Sequence, residues 1–155
     1  TAAAIDDVEK DIKLPVGAAV LNANDEMLVE MSELCHGEVI YFSIEPELPV
    51  IKQHCASGTG PAQGRRAVIV RNGRVVLVSG SNELVLINLR KIASENGANN
   101  AQAIENILAA VGAAWALGIE PDLIRVGIET FGFSQEKYKP ENQNLLELQT
   151  QGIKL

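Results

Sequence analysis

The sequence predicts an α/β fold, a mixed sheet made of a βαβ unit and an antiparallel meander with flanking helices. Three observations predict it. Two apolar strand-like runs bracket a short helix-like segment within residues 18–43. An Asn72-Gly73 pair separates two β-branched runs. The final third carries apolar residues at helical spacing. The first run, Ala18-Ala19-Val20-Leu21, is unbroken and short, as expected of a strand covered on both faces. Asn22-Ala23-Asn24-Asp25 interrupts it, and Asn or Asp there caps a following helix. From Asp25 to Leu34 the residues Met27, Leu28, Met31 and Leu34 define a helical apolar face, ended by His36-Gly37. Glu38 to Ser43 (EVIYFS) is the second strand, so the unit implies parallel strands joined by a right-handed crossover.

The stretch from Glu45 to Arg65 is proline- and glycine-rich and reads mainly as loop. Ala67–Arg71, Asn72-Gly73 and Arg74–Val78 form a hairpin with a type I′ turn, and Glu83–Leu89 extends it to a meander. Ala101 to Leu117 is a helix with Ile104, Leu108, Val111, Trp115 and Ala116 on one side, stopped by Gly118. Pro121 opens another, with Leu123, Ile124, Gly127, Ile128 and Phe131 as its buried face. Thr1 to Lys13 is mildly helical, with acids early and lysines late, in the order that suits a helix dipole. The tail from Gly132 is polar and poorly periodic.

The chain has 155 residues, 46% hydrophobic and 21% charged, which fits one globular domain with a core of its own. The net charge of −7 opposes non-specific nucleic-acid binding. No apolar run approaches the roughly 18 residues of a membrane span. No basic segment followed by an apolar one marks a secretory signal, and two cysteines in such a chain point to free thiols in a reducing cytoplasm.

Several chemical motifs fail on spacing. Gly58-Thr59-Gly60-Pro61-Ala62-Gln63-Gly64 lacks the glycine interval and the Lys-Ser/Thr pair of a P-loop, and its last glycine comes one residue late for a dinucleotide loop. It reads as a mobile loop, with a loop that orders on a ligand as the alternative. Cys35-His36 and His54-Cys55 place neighbours where zinc sites want two to four residues between ligands, so no metal site is expected. No serine lies in a nucleophile elbow, and two histidines offer little for a triad. Asp6 and Asp7 read as dipole partners at a helix start. No catalytic residue is assigned. The Asn22–Asp25 turn stands apart, because it leaves the carboxyl end of a buried strand, where open α/β sheets bind ligands. An Asn side chain, with one donor group and one acceptor, matches the N6/N7 edge of adenine; a plain turn and helix cap is the alternative.

The stretch GAAVLNANDEMLVEMSELCHGEVIYFS resembles the central domain of Mur-type amide ligases, and among them cyanophycin synthetase, with its AVLNADD turn and GEVIFF strand. His54 with GRRAVIVRNGRVVLVSG, then IENILAAVGAAWALGI, then PDLIRVGIETF match further family segments in order, so the similarity runs from about Gly17 to about Leu148. The resemblance implies a Mur-ligase-like central domain over residues 1–131, and a linker with the start of the C-terminal Mur domain over 132–155. It implies an ATP-dependent ligase with ATP and Mg2+, joining arginine to the aspartate side chains of the cyanophycin polymer through an acyl phosphate. By the same resemblance Asn22, Asp25 and Asn106 line the adenine pocket, while the P-loop and the magnesium ligands fall before the AVLN strand, outside these residues. Asn24 stands where the family has Asp, and Ala103 where Gln is expected. The expectation is a ligase fragment inactive by itself. The alternatives are an inactive stand-alone binding or scaffolding domain, and a related ligase acting on another substrate. Apolar surface shaped for neighbouring strands would be exposed in a fragment, so self-association into a homo-oligomer is also expected.

Overall fold

The computed structural model describes residues 17–57, 65–96 and 101–135. The expected helix over Thr1–Lys13, the glycine loop Gly58–Gly64 and the tail beyond Gln135 lie outside the described residues. Among the described residues five strands form one sheet in chain order: β1 (Ala18–Asn22), β2 (Glu38–Ser43), β3 (Arg66–Arg71), β4 (Arg74–Ser79) and β5 (Asn82–Asn88). The pairs β1–β2 and β2–β3 are parallel, and β3–β4 and β4–β5 antiparallel. The α/β class and the mixed sheet match the sequence expectation.

The helices are α1 (Glu26–Met31), α2 (Pro49–Ala56), α3 (Leu89–Asn96), α4 (Ala101–Ala116) and α5 (Pro121–Gln135). The strands' period-2 alternation divides them into two layers. Ile40 and Phe42 of β2, Val68 of β3, and Val75 and Leu77 of β4 join Leu89, Ile92, Leu108, Val111 and Ile124 of α3, α4 and α5 in one core. Tyr41, Ala67, Ile69, Val76 and Val78 point the other way, onto Ile51 of α2, with Val29 of α1 packed alongside. The parallel strands are therefore covered on both faces, which explains why β2 and β3 read as near-continuous apolar runs.

Local chemistry sets the connections. Asn72 and Gly73 both have positive φ, 52° and 70°, as the type I′ turn requires. The second hairpin turns at Gly80-Ser81, with positive φ at Gly80 only, the signature of a type II′ turn. A bulge between Val75 and Val76 places two consecutive residues of β5, Leu86 and Ile87, in the same core. Helix α4 ends in a Schellman motif: Gly118 (φ 78°) donates to the Trp115 carbonyl, and Ile119 to that of Ala114.

Four expectations need correction. Residues 49–56 are not loop but α2, which begins with Pro49 in its first turn, where a missing N–H costs nothing. The expected helix through Leu34 ends at Met31 and continues as a 3₁₀ turn, Ser32–Leu34. Its supposed apolar face is largely outward: Met27, Met31 and Leu34 are exposed, and Val29 makes the inward contact. In α5, Ile124 is buried and Ile128 packs on the core, but Leu123 and Gly127 are exposed and the Phe131 side chain is outside the described ones. Among the described side chains the inward contacts are Val29 of α1 and Ile124 and Ile128 of α5, so helical spacing overstates both buried faces.

Candidate functional site

The site is built at the carboxyl end of the parallel strands. β1 ends at Asn22 and β2 at Ser43, side by side, and the turn between β1 and α1 is tied across when Ala23 N donates to the Phe42 carbonyl at 2.9 Å. Asn22 Oδ1 accepts from the backbone N–H of Asn24 at 3.0 Å, an Asx-type turn. Asp25 caps α1: its Oδ1 accepts from Met27 N at 3.0 Å and Leu28 N at 3.4 Å. Among the described residues, Asn22 Nδ2 and Asp25 Oδ2 have no partner. One turn thus presents a free donor and a free acceptor to solvent.

Asn24, between them, reaches sideways. Its Oδ1 accepts from the Ser43 hydroxyl at 2.5 Å, and its Nδ2 donates to Glu45 Oε1 at 3.2 Å. Ser43 is fully buried, and its oxygen also accepts from Glu45 N at 2.8 Å. Sequence reasoning noted Asn24 but missed Ser43 and Glu45. The available signal was a lone serine closing an otherwise apolar strand.

Asn106 sits on α4. That helix runs antiparallel to β1 and β3, since the Trp115 carbonyl near its carboxyl end meets Arg66 at the start of β3 and Gly112 abuts Val20 of β1. Six residues back from Gly112 is about 9 Å along a helix, and two residues on from Val20 is about 7 Å along a strand. Asn106 is therefore level with the Asn22 turn. It is not brought to that turn, however: its position is about 160° around the helix from buried Leu108. It is exposed, and its Oδ1 accepts from Gln102 Nε2 at 3.3 Å.

The opposite end of the sheet is fastened by charge. Arg66 is held bidentately by Glu38, Nε to Oε1 at 2.6 Å and Nη2 to Oε2 at 2.5 Å, its Nη1 donates to the Trp115 carbonyl at 2.9 Å, and the guanidinium lies 4.7 Å from the Trp115 ring centre. His54 is buried beside Tyr41, edge to face at 4.8 Å, with Nε2 3.2 Å from the Arg66 carbonyl oxygen. Burial foremost, then the charge of Arg65, holds its pKa below the ordinary histidine value. Burial likewise pushes the Cys55 thiol up, and the Lys52 ammonium, 2.6 Å away, holds the exposed Glu47 carboxyl low. Cys35 is half-buried at the end of the 3₁₀ turn, with Sγ 3.7 Å from the Met31 carbonyl oxygen. Among the described residues no three His, Cys, Asp or Glu side chains converge as a metal site. No described helix is long and apolar enough to cross a membrane.

No protein-family model matches the chain. Curated proteins similar to it include three named cyanophycin synthetase. That of Synechocystis sp. is 34% identical over 134 residues, 86% of this chain. That of Crocosphaera subtropica is 31% identical over 132 residues, 85% of this chain, and that of Trichormus variabilis 29% identical over 134 residues, 86% of this chain. The chain is homologous to a segment of the cyanophycin synthetases. It spans about a seventh of their length, 14% in each case. The resemblance read from the four sequence motifs thus holds over nearly the whole chain. The mixed sheet with helices on both faces is compatible with the Mur-ligase-like domain expected within a cyanophycin synthetase.

Proposed function

We propose that this chain is a segment of an ATP-dependent carboxylate–amine ligase of the cyanophycin synthetase type, and that it supplies the adenine side of the nucleotide site. The observation that carries the reading is the turn at the end of β1, where Asn22 Nδ2 and Asp25 Oδ2 have no partner among the described residues, at the carboxyl end of parallel strands. Adenine offers a complementary amino group and ring nitrogen. Asn106 joins the site only through a base or ribose lying over the amino-terminal turns of α4. The Asp25 carboxylate stays engaged at Oδ1 as the helix cap, which fixes the direction of its free oxygen.

In the whole ligase, a substrate carboxylate takes the terminal phosphoryl group of ATP, releasing ADP. An arginine amine then attacks the acyl phosphate, forming the amide and releasing phosphate. Mg2+ supplies charge neutralisation at the transferring phosphoryl group, from ligands outside the described residues. A segment that holds adenine without positioning phosphate lacks the geometry for that chemistry, so the 155-residue chain binds but does not turn over ATP.

Isothermal titration of the chain with ADP tests the reading. Saturable binding is expected, weakened at least about fivefold by Asn22→Ala, the usual scale for one lost hydrogen bond. Absence of ADP binding to the unaltered chain would favour the alternative, a scaffolding domain without a nucleotide site. Magnesium-dependent ATP hydrolysis by the pure chain would overturn the claim that the segment is inactive by itself.

A further inference from the structure

The turn that presents Asn22 and Asp25 is short and exposed, and something must hold it. We infer that Asn24 is the positioning residue of this turn, and that its amide is matched to a carboxylate at position 45. The inference rests on the adenine reading of the turn for its functional consequence, but the match itself stands on the contacts alone.

The polarity of these contacts is fixed from the buried side outwards. The Ser43 oxygen accepts from Glu45 N, so its hydroxyl hydrogen is free to donate, and it donates to Asn24 Oδ1. That leaves Asn24 Nδ2 facing Glu45 Oε1 at 3.2 Å, a donor on an acceptor-only group. Turning the amide over would set its oxygen against the Glu45 carboxylate, acceptor against acceptor, so Glu45 selects the orientation even though the Ser43 oxygen keeps a second lone pair. The side chain therefore has one orientation, and it ties the β1–α1 turn to the end of β2 and to the segment beyond it. An aspartate in place of Asn24 could still accept from Ser43, but its second oxygen would meet Glu45 Oε1, acceptor against acceptor and charge against charge. The Asn at this position is thus paired with Glu45 in this chain. Moving the amide across the contact, by Asn24→Asp together with Glu45→Gln, restores one donor and one acceptor.

The test is a double-mutant cycle on the full chain, of Asn24→Asp, Glu45→Gln and the two together, read by thermal melting and by ADP titration. Asn24→Asp is expected to lower the melting temperature by about 3 °C or more and to weaken ADP binding by about fivefold. Asn24→Asp with Glu45→Gln is expected to return both towards the unaltered chain, although it changes two residues where the single variant changes one. An Asn24→Asp chain as stable as the original, or a double variant no better than the single one, would overturn the match. If the unaltered chain binds no ADP, the nucleotide reading fails, while the melting cycle still decides the pairing of Asn24 with Glu45.

Discussion

The two ends of the parallel strands are fastened by different chemistry. At the amino end, Arg66 grips Glu38 with two charge-assisted bonds, donates to the Trp115 carbonyl of α4 and stacks on the Trp115 ring, with little of its side chain in solvent. At the carboxyl end, Asn24, Ser43 and Glu45 make a smaller network around one buried hydroxyl, and the neighbouring Asn22 and Asp25 each keep a polar atom without a partner among the described residues. One end uses its polar groups to hold helix to sheet. The other holds the turn and, among the described residues, leaves a donor and an acceptor over, which is what the proposed nucleotide site needs.

This contrast predicts unequal costs. Arg66→Ala should be the most damaging change, about 2 kcal/mol, because it removes the fork on Glu38, the bond to the Trp115 carbonyl and the packing on the Trp115 ring together. Arg66→Lys should recover only part of that, since an ammonium cannot fork; urea denaturation of the two variants gives the comparison. Between the ends, Gly112→Ala should cost about 1–2 kcal/mol despite the better helix propensity. A Cβ there would lie 2.7 Å from Val20 Cγ1, and a valine has few ways to move aside. At the carboxyl end, Ser43→Ala should cost about 1 kcal/mol, the loss of one buried hydroxyl and its two bonds. An Arg66→Ala loss smaller than that of Ser43→Ala would invert the contrast.

Two smaller effects sharpen it. His54, behind the amino end, has its pKa lowered in the fold, whereas a histidine in the unfolded chain titrates near about 6.5. The unfolded chain then takes up the proton first. Stability is at its full value above that pH and declines as pH falls below it towards the lowered folded value. His54→Gln should flatten the decline of stability as pH falls below about 6.5, the unfolded-chain value. Asn106→Ala, on an exposed helix face, should change stability by less than about 0.5 kcal/mol, so any loss of ADP affinity in that variant reports on contact with the ligand.

The sequence by itself determined what is local. The Asn72-Gly73 turn needs positive φ at two residues, Gly118 ends α4, and a strand–helix–strand run within residues 18–43 must make a parallel pair. The order of four short motifs also sufficed to find the ligase resemblance. Helix α2 was hidden because Pro49 is a breaker inside a helix and an opener at its first turn, and only the packing of Ile51 and His54 onto the sheet shows which. The same holds for the site. Asn22 and Asp25 are three residues apart and their shared turn was legible, but Asn24 meets Ser43 across 19 positions and Glu45 across 21. Arg66 meets Glu38 across 28 and Trp115 across 49. Contacts of that range exist only once the strands are in register, and no spacing rule along the chain encodes them. The outward face of Asn106 was settled the same way, by which side of α4 the sheet covers.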